Sequence, residues 1–213
     1  IPGCGLIYPF RNEGFATLCG DGSAAAVLVD ERGRSKMTRT PAFFDGENDP
    51  VFEESPVDRQ NGRALFISYT GKVYAAELGA EIKVAEPWSL QEAAGLSPAT
   101  TKPDHMTWRP GGQIPFAWHP ASGRLYVLMH MGKHWSQKAE GRQIWVVDIK
   151  AKQVLHRLTL PTSADAIAVS QTGEPSLYAF GERHLWILNP ETGDIVRHMA
   201  EAPMPGHVAV AGF

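Results

Sequence analysis

Several features are scarce in this 213-residue sequence, and each scarcity narrows what the chain can do. No run of about 18 apolar residues occurs, so no stretch reads as a helix that crosses a membrane. Lysine and arginine together number 20 against 23 aspartates and glutamates, with both signs scattered. Neither nucleic acid nor a membrane surface is therefore expected as a partner. There is no GxSxG, P-loop, GxGxxG or CxxC, which removes the common sequence marks of acyl transfer, nucleotide binding and dithiol chemistry. Helical periodicity is almost missing; SLQEAAG (89–95), with Ser89 as N-cap, is the single stretch that reads as helix. Cysteine is limited to Cys4 and Cys19. The opening residues, IPGCGLIYPF, hold neither an initiator Met nor a basic-then-apolar leader. The expectation from them is a piece of a longer chain.

What is present is strand. With 43% hydrophobic and 20% charged residues, the chain has an ordinary globular composition and enough length for a real core. The stretch WRPGGQIPFAWHPASGRLYVLMH (108–130) contains two apolar runs joined by the turn HPASG. In the second run, Leu125 to Met129 are apolar without alternation, so both faces of that strand are expected to be buried.

This unit recurs. IWVVDIKAKQVLHRL (144–158) matches LWILNPETGDIVRHM (185–199) without a gap: Trp145 falls on Trp186, Asp148 on Asn189, Val154-Leu155 on Ile195-Val196. VSQTGEPSLYAF (169–180) and VDRQNGRALFIS (57–68) parallel WHPASGRLYVL (118–128). KVYAAELGAEIKVAE (72–86) and AVLVDERGRSKMTR (26–39) are weaker copies of the strand–turn–strand half. Glycines mark the turns in two series, Gly14, Gly62, Gly123 and Gly173, and Gly33, Gly79 and Gly193. Four units of four short strands are the signature of an all-β β-propeller, whose stacked blades bury both faces of their middle strands. The expected blades are 1–42, 43–86, 113–160 and 161–202 of one propeller segment, with PGHVAVAGF (205–213) as a closing strand of a larger ring. In the first blade, a hairpin turning at residues 10–14 sets Cys4 opposite Cys19. A disulfide and two buried thiols are both open readings of that pair.

Insertions on a repeat scaffold mark its working face. Tyr126 and Trp145 are 19 residues apart where the equivalent Tyr178 and Trp186 are 8 apart, which places an insertion in 131–143. A second insertion spans 87–112. The up-and-down order of a blade puts both on one rim, near the Cys4–Cys19 end of the first hairpin. The candidate partner interface is Trp108, Arg109, Lys133, His134 and Trp135, with Asp104, His105, Arg109 and Lys133 forming its polar border. Trp145 and Trp186 occupy repeat positions and read as structural. His119, His130 and His134 raise a metal cluster, but the spacing crosses a strand end and a loop, and loop hydrogen bonding is the better reading. Asp165 is the one carboxylate expected near the axis, too little for a propeller hydrolase such as a lactonase. From the residues alone, no catalytic, cofactor-binding or metal-ligating residue is assigned, and a non-enzymatic propeller binding module stands as an alternative.

WRPGG (108–112), HPASGRLYVLMH (119–130), YTGKVY (69–74) and CGDGS (19–23), with Cys4 fifteen residues before Cys19, resemble the heavy subunit of the tryptophan tryptophylquinone amine dehydrogenases. The resemblance is nearer to the aromatic amine branch than to methylamine dehydrogenase, and covers the C-terminal part, a little over half, of such a subunit. It implies a seven-bladed ring of the YVTN/WD40-like type, of which about four blades are here, and favours a Cys4–Cys19 disulfide. It also implies a periplasmic location, a small light subunit that carries the tryptophan tryptophylquinone, a heterotetramer, oxidation of primary amines to aldehydes, and a blue copper protein as electron acceptor. The heavy subunit is then a non-catalytic scaffold. SPATTKPDHMT (97–107) is longer than the family pattern, which puts the interface or the substrate range in question.

Overall fold

The computed structural model describes residues 1–10 and 14–202. The expected closing strand 205–213 and the centre of the first hairpin turn lie outside the described residues. The chain divides into two compact units, Ile1–Trp88 and Ser89–Phe213.

The first unit holds two antiparallel sheets. One has the order β1 (Cys4–Phe10), β2 (Gly14–Cys19), β3 (Ala24–Val29), β4 (Ser35–Arg39). The other has the order β5 (Val57–Asp58), β6 (Arg63–Ile67), β7 (Lys72–Glu77), β8 (Lys83–Val84). The register of β1 on β2 places Cys4 directly opposite Cys19, and the two are joined by a disulfide. Small residues on β2 and β3 (Ala16, Ala24, Ala26) let the large ones of the neighbouring sheet close in, and Tyr8, Phe10, Phe66 and Tyr74 fill the space between. Tyr8 meets Phe66 edge to face at 5.3 Å and its hydroxyl donates to the Glu53 carbonyl at 2.9 Å. Burial pushes the pKa of Tyr8 up to about 12.

A two-residue strand, β9 (Trp88–Ser89), lies where the chain passes from one unit to the next. The second unit begins with α1 (Leu90–Ala93), the one helix among the described residues. It starts where expected: the Ser89 hydroxyl accepts from the backbone N–H groups of Gln91 and Glu92. Then come a sheet of β10 (Thr107–Pro110), β11 (Phe116–His119), β12 (Arg124–Gly132), β13 (Gly141–Asp148) and β14 (Gln153–Ala164), and a sheet of β15 (Ala166–Val169), β16 (Leu177–Gly181), β17 (His184–Leu188) and β18 (Ile195–Met199). Leu125 to Met129 on β12 are all completely buried, as the lack of alternation required. Each such side chain is worth roughly 2 kcal/mol of burial.

Part of the 87–112 insertion is not a loop. β12 runs nine residues, longer than its counterparts β6 and β16. β11 pairs with its first half and β10 with its second, Trp108 opposite Met131 and Arg109 opposite His130. Without β10 the second half would present unpaired backbone groups on that side, so the insertion supplies the missing strand. This sheet therefore spans 107–164, where 113–160 was expected.

The repeat is visible in detail. β13 and β17 occupy the matching stretches, and both shift register at the same repeat position, between Val146 and Val147 and between Ile187 and Leu188. Gly33, Gly62, Gly123 and Gly193 turn their loops with φ between 60° and 78°. Gly79 and Gly173 do not use the left-handed region. The fold is all-β, of antiparallel blades of β-propeller type.

Candidate functional site

The two insertions meet on the second unit. Lys133 Nζ lies 3.1 Å from Asp104 Oδ1 at the surface, and Gly112 N–H donates to the Gln137 carbonyl at 3.1 Å. The β10–β12 ladder joins their inner ends.

At the centre is Arg109, 1% exposed. Its Nε donates to the Gly132 carbonyl at 3.2 Å, and its Nη2 to the carbonyls of Thr100 at 2.7 Å and His105 at 3.3 Å. One planar guanidinium thus ties both insertions together. His105 folds inward as well, its Nδ1 2.8 Å from Thr100 Oγ1. Gln91, fully buried, donates to the Trp108 carbonyl at 2.7 Å and fastens α1 to β10. Arg157 reaches the Ala94 carbonyl and lies over the Trp145 ring, 4.8 Å from its centroid.

The WRPGG sequence has a physical basis here. A Cβ on Gly111 would run into His130 Nδ1 and the Ala139 carbonyl, and Gly112, at φ 118°, sits against the Asp165 carbonyl. Only glycine lets the chain bend between β10 and β11 this close to its neighbours.

The expected interface residues separate into two groups. Lys133 and Trp135 are exposed, Trp135 by 54% of its surface and with a left-handed backbone (φ 65°) that bulky residues seldom adopt. Its ring packs on His134 with centroids 4.6 Å apart. Met106, just before β10, and Met131, opposite Trp108 on β12, are also exposed, by 54% and 52%. Arg109 and His134, by contrast, are buried, and Trp108 is half-buried against Trp145 at 5.9 Å. For Arg109 and His134 the expectation of an outward contact is corrected: three carbonyl acceptors draw the guanidinium inward, and the indole of Trp135 covers His134. Of the expected polar border, only Asp104 and Lys133 remain at the surface.

The three histidines do not converge on a shared point. His119 is held between Ser122 Oγ and the Thr172 carbonyl, His130 Nε2 lies 2.8 Å from Ser136 Oγ, and His134 packs on Trp135. Burial first, and the Arg109 cation second, hold the His130 pKa below its ordinary value. Ser136 donates in turn to the Lys133 carbonyl at 2.6 Å, which pins the loop under Trp135. Asp165 spends its carboxylate on the Gln113 N–H. Sequence reasoning missed Gln91, which acts through its side-chain amide, and Thr100, Gly132 and Ser136, which act through backbone carbonyls or a single hydroxyl; none carries a spacing signal. In the first unit an open cleft lined by Ile7, Phe15, Val29, Asp30 and Glu31 offers two carboxylates, of which Asp30 already serves its own turn.

The sequence matches the methylamine dehydrogenase heavy chain (MADH) family over residues 1–211. The chain is 30% identical over 195 residues to the methylamine dehydrogenase heavy chain of Methylorubrum extorquens, covering 91% of this chain and 46% of that one. The heavy chain of Methylophilus methylotrophus is 32% identical over 186 residues, 85% of this chain and 43% of that one. That of Paracoccus versutus is 31% identical over 199 residues, 92% and 45%. The chain thus spans a little under half the length of these relatives, rather than a little over half. Among solved structures, the WD40 domain of Neurospora crassa Pan2 gives a TM-score of 0.49 at 14% identity, covering 92% of this chain and 49% of that one, a likeness too slight to build on.

Proposed function

Since the chain belongs to the methylamine dehydrogenase heavy chain family, we propose that it is scaffold for a periplasmic amine dehydrogenase rather than a catalyst. The family match over nearly its whole length carries this reading. In it, a small light subunit bears the tryptophan tryptophylquinone, primary amines leave as aldehydes, a blue copper protein takes the electrons, and two heavy chains assemble with two light ones. The quinone supplies the redox chemistry on the light subunit. The close tryptophan pair of this chain, Trp108 and Trp145, does not fit such a role: Trp145 is wholly buried and its Nε1–H is bonded to Gln143. No step is routed through this chain, whose contribution is shape and a contact surface. The heavy-chain ring of seven blades, with this segment as about four of them, belongs to the same proposal.

Within that reading Lys133 and Trp135 meet the light subunit, and Arg109, His134 and Trp108 hold the loop that presents them. An exposed tryptophan on a loop whose Lys133 is also at the surface has the composition of a binding hot spot. The test is co-purification. The complete natural chain, tagged and produced with the genes flanking it, is expected to bring down a small cysteine-rich subunit with quinone absorbance and amine-dependent dye reduction. Trp135→Ala is expected to weaken that association at least about tenfold while leaving the fold intact. Recovery of the chain with a different partner and no quinone would make it a propeller binding module instead.

A further inference from the structure

The last sheet carries a histidine pair that the scaffold role leaves unused. His184 begins β17, and His198 on β18 stands opposite Trp186. Residues two apart on a strand share a face, so His184, Trp186 and, across the ladder, His198 project together. His184 Nδ1 and His198 Nε2 are 2.9 Å apart. The His198 ring stacks on the Trp186 indole, centroids 3.7 Å apart and planes 10° from parallel. The indole is itself fixed, its Nε1–H donating to Thr162 Oγ1 at 3.1 Å. His198 is exposed and His184 half-buried, so both rings can be reached from solvent.

We propose that His184 and His198 bind one divalent transition-metal cation of the copper, nickel or zinc class. Metal–nitrogen bonds of about 2.05 Å that meet at a right angle place their nitrogens about 2.9 Å apart, the separation found here. Right-angled nitrogen donors suit the square-planar preference of Cu²⁺ and Ni²⁺. Two neutral imidazoles in contact share one proton. On binding, the ring that holds it moves that proton to its outer nitrogen, both rings turn so that the inner lone pairs, aimed at each other in the hydrogen bond, meet at the cation, and no proton is lost overall. Water fills the remaining positions. Trp186 acts behind the site: its stacking and its bond to Thr162 hold the His198 ring in place before the metal arrives.

This assignment stands apart from the scaffold reading and needs no light subunit. Its experiment is titration of the full chain with CuCl₂, NiCl₂ and ZnCl₂, followed by calorimetry and tryptophan fluorescence. One equivalent is expected to bind, Cu²⁺ more tightly than Ni²⁺ or Zn²⁺, with quenching by Cu²⁺ that Trp186→Phe reduces. His184→Ala and His198→Ala are each expected to weaken binding at least about tenfold. Wild-type affinity in either folded variant overturns the site. If a variant fails to fold, paramagnetic broadening of imidazole signals in the unmodified chain decides: broadening first at His184 and His198 supports the site, and broadening centred on any other histidine overturns it.

Discussion

Arg109 shows how one residue can decide the shape of the insertion face. Its guanidinium reaches three carbonyls on two segments, at 3.2, 2.7 and 3.3 Å, from a buried position. Arg109→Met would leave those acceptors without their charged donor, at a cost of about 3 kcal/mol. Arg109→Lys is expected to cost nearly as much, because an ammonium is a point and cannot span carbonyls that a planar fork reaches together. Urea midpoints of the two variants check this; a lysine variant close to wild type would show that charge alone is needed. His130, opposite Arg109 on the ladder, adds a pH dependence. Its pKa is held below the ordinary 6.5, so the unfolded ring takes up a proton at higher pH than the folded one. The stability from keeping it neutral is fully present above pH 6.5 and is lost as pH falls through the lower folded value. Stability measured from about pH 7 down to about pH 5 is expected to fall more steeply in the wild type than in His130→Gln. Parallel curves would assign the slope to other groups.

At the scale of the element, one turn design recurs in the hairpins β3–β4, β13–β14 and β17–β18, and Asp58 repeats it between β5 and β6. Asp148 accepts from the Ala151 N–H, Asn189 from those of Glu191 and Thr192, and Asp30 from those of Arg32 and Arg34. A side-chain oxygen three bonds from Cα caps the turn, and either a carboxylate or an amide serves. Asn189→Asp is therefore expected to be near neutral and Asn189→Ala to cost about 1 kcal/mol, read from denaturation midpoints. Equal effects of both would mean that the side-chain oxygen is idle. The repeat made these hairpins legible in the sequence, because Trp145 and Trp186 and their polar turns recur at fixed spacing and that spacing is what the sheet requires. The same reasoning placed Ser89 at a helix start and read Leu125 to Met129 as doubly buried. It did not find β10. Thr107 to Pro110 belongs to neither repeated stretch, and it became a strand because β12 outruns β11; its counterpart in the first unit is the single bridge of Val51 to Ser68 past the end of β6. Nor did it find that Arg109 turns inward: its partners are backbone carbonyls, which any sequence supplies and no composition reveals.

For the molecule as a whole, the disulfide is the covalent link whose effect can be localised. Cys4 and Cys19 are 15 residues apart and both belong to the first sheet, within the unit Ile1–Trp88. Closing a loop of that length in the unfolded chain is worth about 3 kcal/mol in the chain-entropy account. Among the described residues β1 pairs with β2 alone, so within that set no second strand holds it when the bond is cut. The buried cluster around Tyr126 and Leu128, by contrast, is made entirely of residues from the second unit. Reduction should act where the bond is. Hydrogen exchange before and after mild reduction is expected to show protection falling over residues 4–39 and holding over 107–199, with Cys4→Ser reproducing the pattern. Uniform loss across both ranges would instead mean that the chain opens as one cooperative block, and that the bond guards the second unit as much as the first.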